Sequence, residues 1–117
     1  MSEPSLTFFE KLVSEIEESG TTYVQLQSIA KRYEELKKSK LAELMSEIEL
    51  AAGKITNARL EMYARSDPKY KEFISELVEA WRQAEQAKIQ YVAKKNFFDA
   101  HRSLAAFQRA KLEKGIL

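Results

Sequence analysis

The chain has 117 residues and a formal net charge of +1, with 44% apolar and 32% charged residues, three glycines, two prolines and no cysteine. That length sets one modest domain, and the missing cysteine excludes thiol catalysis, disulfides and thiolate metal sites. The N-terminus shows no basic region ahead of an apolar run, and no stretch nears about eighteen apolar residues, so the expectation is a cytoplasmic protein without a secretory signal or membrane span.

Few breakers and tracts rich in Ala, Glu, Lys, Leu and Gln point to an all-α chain. Thr7 to Glu10 fits a capping box, and Phe8, Phe9, Leu12, Val13 and Ile16 give a short amphipathic helix. Gly20 reads as its stop. Residues 1–20 are then either a small helix capping the longer ones or an arm that docks on a neighbour. Thr21 or Thr22 caps the next helix, where Val24, Ala30, Tyr33, Leu36, Leu44, Ile48 and Ala51 keep helical spacing. Ser39 marks a point for a bend, and Gly53 an end or a kink.

Thr56 can cap a new helical start, with Ile55 and Leu60 at the two positions of a hydrophobic staple. Residues 57–65 make about two turns. Asp67 can cap again, and Pro68 suits a first helical position because its missing N–H has no partner there. From Pro68 to about Lys114 no breaker appears, a helix on the order of 70 Å long. Tyr70, Phe73, Leu77, Ala80, Ala84, Ala87 and Tyr91 make its first stripe. Beyond Tyr91 the second stripe moves to Phe97 and Leu104 beside Phe98 and Ala105, while Lys94 and His101 take the earlier register.

The expected architecture is an elongated antiparallel helical hairpin or coiled coil over 21–117, with its corner at 53–67 and a short N-terminal helix before it. A long helix needs a partner to bury its stripe. The C-terminal helix is the longer arm, so its distal part overhangs and meets another subunit, making a homo-oligomer.

Charge is uneven. Residues 1–20 hold Glu3, Glu10, Glu15, Glu17 and Glu18 against Lys11, whereas residues 82–114 hold eight bases against Glu85, Asp99 and Glu113. Lys88, Lys95, Arg102 and Arg109 recur every seven residues, with Lys94 and Arg82 beside them. Such a row can track a phosphate backbone, and Tyr91, Phe97, Phe98 and Phe107 are interleaved with it. The same positions also suit bases that cover an apolar seam and pair with acids. Trp81, where the row begins, is either buried packing or an intersubunit anchor. Trp81, Tyr91, Phe97 and Phe98 are the candidate interface residues. No catalytic set stands out: His101 is the only histidine, Asp99 does not share its face, and no metal, phosphate-loop or cofactor motif occurs. The expectation is a non-enzymatic protein with no metal and no cofactor.

A Lys-rich helix, then Thr56–Asn57–Ala58–Arg59–Leu60–Glu61, then Ser66–Asp67–Pro68–Lys69–Tyr70 before a long helix resembles the small helical accessory and mediator proteins of phage recombination modules. The resemblance covers roughly residues 22–114. It implies a self-assembling protein that binds single-stranded DNA and assists a recombination or replication protein, with Lys88, Lys94, Lys95, Arg102 and Arg109 as this chain's candidate contacts from their spacing. The alternative from the residues is a protein-interaction or inhibitory coiled-coil module without nucleic-acid binding.

Overall fold

The computed structural model describes residues 5–115. The first four residues of the expected N-terminal segment, Glu3 among them, and the last two of the expected hairpin domain lie outside that range. Within it the chain is all-α: α1 Leu6–Ala52, α2 Asn57–Ser66 and α3 Pro68–Glu113.

The start of α1 is capped by Ser5, whose Oγ accepts from the Phe8 N–H at 3.2 Å. The box expected from Thr7 is displaced by this earlier cap. The stop expected at Gly20 is absent, and α1 runs unbroken through Gly20 and Ser39 for 47 residues. Gly20 is used for packing instead: a Cβ there would stand 3.0 Å from Cε1 of Tyr91. Thr21 and Thr22 cap nothing. Their hydroxyls donate back to the carbonyls of Glu17 at 2.9 Å and Glu18 at 3.1 Å, a bond that threonine can make within a helix. The real end of α1 comes at Gly53, whose φ of 84° is the left-handed conformation that glycine adopts freely.

Thr56 caps α2, its hydroxyl accepting from the Arg59 N–H at 3.4 Å. Asp67 closes α2 with its N–H on the Ala64 carbonyl, and its Oδ1 accepts from the Lys69 N–H at 2.8 Å to open α3. Pro68 takes the first position of α3, which runs on for 46 residues.

The chain divides into two compact units, Gln25–Ala84 and the remainder, the latter joining residues up to Val24 with those from Glu85. In Gln25–Ala84, Leu44, Ala64 and Tyr70 form a buried cluster joined by Leu41, Met45, Ile48 and Ile74. A second cluster of Ala30, Ala80 and Ala84 is flanked by Leu26, Tyr33 and Trp81. Small alanines at these positions let helices approach closely and leave room for the rings beside them.

In the other unit the pairing is antiparallel and rich in rings. Phe9 meets Phe98 at 5.8 Å and Tyr23 meets Tyr91 at 6.1 Å, centroid to centroid. Leu12, Ser19, Ala87 and Ala105 are buried there. Because α1 continues through Gly20, α1 and α3 are nearly equal in length, and the distal residues of α3 are covered by the start of α1. The expected overhang of that segment is therefore absent.

Candidate nucleic-acid interface

The unit built from the start of α1 and the C-terminal half of α3 carries the basic row. Lys88, Lys95, Arg102 and Arg109 are all exposed. A seven-residue step on a straight α-helix falls short of two full turns by about 20°. The row therefore winds slowly around α3 alongside the seam residues Tyr91, Phe98 and Ala105, which keep the same spacing. Lys94 is exposed as well, but stands about 100° around the helix from Lys95.

Spacing of four residues sets two of the bases over rings of the seam. The Lys95 ammonium lies 5.3 Å from the centroid of Tyr91, and the Arg102 guanidinium 6.0 Å from that of Phe98. Tyr91 and Phe98 are half-buried, and each also meets an α1 ring. A cation held over an aromatic face keeps its outer N–H groups available to an anion. Lys111 lies over Phe107 in the same way, at 4.5 Å.

Among the described residues Lys88, Lys94 and Lys95 form no ion pair. Arg102 has Asp99 at 4.0 Å, with both side chains mostly exposed. Arg82 belongs to the other unit and is engaged by Glu79 at 2.6 Å. That contact holds the Glu79 carboxyl at about 2, against an ordinary 4.5: the Arg82 hydrogen bond is the largest cause, and one from Gln83 adds to it. The same bond raises the Arg82 guanidinium above its ordinary value.

The candidate interface residues separate into two kinds. Trp81 packs beside Ala30, Ala80 and Ala84 of its own chain, and its indole N–H donates to Glu34 at 3.1 Å. Tyr91 and Phe98 take seam positions. Phe97 is half-exposed at 49% and drops out of the expected stripe, while Phe98, Leu104 and Ala105 face inward as expected, with His101 beside them. His101 sits between Phe97, 4.1 Å away, and Phe8, 5.4 Å away. Its Nδ1 is 3.0 Å from the Phe97 carbonyl, a hydrogen bond when that nitrogen carries the proton.

Two features escaped the reading of the sequence. A shallow groove in Gln25–Ala84 is lined by Ile29, Tyr33, Glu72, Glu76 and Glu79, and its acidic rim repels phosphate. Ile89 and Val92 are exposed on α3 at 63% and 43%, near Phe107, already named beside the row, at 57%. The signal for the apolar residues of α3 was a run of uncharged positions at helical spacing, masked by the regular pattern of bases beside it. Among the described residues, no helix is long and apolar enough to cross a membrane. No family model, curated protein or solved structure matches the chain.

Proposed function

We propose that the protein is a non-enzymatic, self-associating helical accessory factor that binds single-stranded nucleic acid through Lys88, Lys95, Arg102 and Arg109, with Lys94 as a secondary contact. The reading places it beside a recombination or replication protein, as the resemblance to phage recombination mediators implies. One observation carries it: an exposed row of four bases at seven-residue spacing, two of them held over aromatic faces. Single strands suit such a surface because phosphates meet the bases while exposed nucleobases can stack on rings at its edge, Phe97 and Phe107 being the exposed ones. Nothing in the row offers a base-reading pattern, so the binding is to backbone and without sequence preference.

Anisotropy of a labelled oligonucleotide, titrated with the protein across a salt series, tests this. The expected result is binding that weakens steeply with salt and differs little between sequences. An absence of binding at low salt by the folded protein overturns it. The alternative, a protein-interaction module, draws on the exposed Ile89, Val92 and Phe107, and it requires a partner whose affinity survives neutralisation of the row but not substitution of the apolar residues.

A further inference from the structure

The groove in Gln25–Ala84 has two walls of the same layout and opposite chemistry. On α1, Ile29, Arg32 and Leu36 stand four residues before, one before and three after Tyr33; on α3, Glu76, Glu79 and Gln83 stand at the same offsets from Ala80. Tyr33 and Ala80 are the least exposed of the residues that line the groove. The two helices are antiparallel here, Ala30 packing on Ala80 and Ala84, and Leu44 on Tyr70. In antiparallel helices equal offsets from the seam turn both sets of side chains to one face. The α1 wall is apolar and cationic: Ile29 and Leu36 are 49% and 44% exposed, with the exposed Arg32 between them. The α3 wall is polar and acidic, with Glu72 one turn beyond Glu76.

Neither wall is satisfied within the chain. Among the described residues Arg32, Glu72 and Glu76 form no ion pair, and no base lines the groove. Glu72 and Glu76 stand four residues apart, a spacing at which like charges repel. Glu79 is already engaged by Arg82 and Gln83, which leaves Glu76 as the open acceptor beside it. The level of each residue along the groove follows from contacts between the helices. Tyr33 meets the Phe73 ring at 5.6 Å, and the Trp81 indole N–H reaches Glu34. Residues 33 and 34 are thus level with the middle of 73–81. That sets Arg32 level with Glu76 and Glu79, Ile29 level with Ala80 and Gln83, and Leu36 level with Ser75.

We infer that this face docks on the same face of a second copy of the chain, about a two-fold axis laid along the groove, with Arg32 of each copy on Glu76 of the other. That axis sets α1 of each copy over α3 of the other, so neighbouring helices stay antiparallel and every contact occurs twice. It shifts no residue along the helices, so the levels that hold within one chain also hold between copies. Ile29 then rests against Ala80 and Gln83, and Leu36 against Ser75, where small side chains leave room. Charge selects both the occupant and the axis. An axis laid across the groove would stack α3 on α3, acid on acid, whereas the axis along it gives each acidic wall a cation at its own level. The inference rests on the self-association in the proposed function and specifies its face.

Sedimentation equilibrium of the full chain, with far-UV circular dichroism to confirm folding, tests the pairing. The expected result is a wild type heavier than a monomer, with R32E and E76R each weakening association by at least about tenfold, and R32E/E76R recovering most of the loss. I29Q/L36Q leaves every charge in place and is expected to weaken association as much. K95E/R102E changes the other unit and is expected to leave association as it is. A wild type that stays monomeric overturns the inference together with the self-association it rests on. The inference alone is overturned if the wild type assembles but R32E and E76R do not weaken it, if R32E/E76R is no stronger than either single variant, or if K95E/R102E dissociates it as R32E does. Because the row lies in the other unit, R32E is expected to bind a short labelled oligonucleotide with the salt slope of the wild type. The nucleic-acid reading is judged separately, by the oligonucleotide titration of the wild type.

Discussion

Glu79 shows how a pair of neighbouring side chains sets a charge without help from burial. Arg82 and Gln83 both donate to its carboxylate, so the ionised form is favoured and the folded value falls to about 2 from 4.5. A depressed carboxyl contributes stability that is fully present above 4.5 and is lost as pH falls through about 2. Both partners are well exposed, so the contribution is small, and the titration is the better readout. In a carbon-detected NMR titration the Glu79 carboxyl is expected to titrate well below the other glutamates, and Arg82→Ala to return it most of the way toward 4.5. A Glu79 that titrates with the rest in the wild type excludes the contact in solution. Gly20 is the second position where one residue decides a local outcome. Its missing Cβ admits the edge of Tyr91, which also stacks on Tyr23. Gly20→Leu gains helix propensity but drives a side chain into the ring, and is expected to destabilise the fold by about 1–3 kcal/mol in urea denaturation. A variant as stable as the wild type means that the ring does not rest there.

At the scale of the elements, the corner was the most legible part of the sequence. Thr56, Asp67 and Pro68 have side chains whose chemistry works through the local backbone, and they cap and start helices where their types require. Thr56→Ala is expected to cost about 1 kcal/mol by removing the acceptor for the Arg59 N–H. Thr56→Ser, which keeps the oxygen, should recover most of it, and equal losses from both variants would rule out the cap as the cause. The start of α1 was misread for the opposite reason. Gly20, Thr21 and Thr22 form a cluster that locally favours a break. Tertiary packing outweighs it: Tyr91 fills the space beside Gly20, and the threonine hydroxyls bond back to the helix. A glycine in a helix costs roughly 1 kcal/mol relative to alanine, a penalty that a few buried rings exceed. In the distal stripe of α3 Phe98, Leu104 and Ala105 were legible and only Phe97 was wrongly included, since the rings of α1 meet Phe98 and leave Phe97 outward. The row of bases, by contrast, was fully legible, because exposed residues at a fixed spacing on an unbroken helix need no tertiary information to share a side.

For the molecule as a whole, the net charge of +1 supplies almost no long-range attraction to a polyanion. On the proposed function, affinity for a single strand must therefore come from where the bases are placed rather than from how many there are. That distinction can be measured. Replacing Lys88, Lys95, Arg102 and Arg109 with glutamine removes four cations and takes the net charge from +1 to −3. Replacing Lys31, Arg32, Lys38 and Lys54, also exposed and outside the row, changes the net charge by the same amount. Each phosphate neutralised on a single strand contributes about 0.7 to the slope of log K against log salt. The row variant is thus expected to lower the magnitude of that slope by about three, and the control variant to leave it within about one of the wild type. Equal losses from the two variants would show that bulk charge governs binding, and the row would then have no special claim. A slope that falls only for the row variant, with far-UV circular dichroism unchanged in both, ties the function to one face of α3, where four bases come round every second turn.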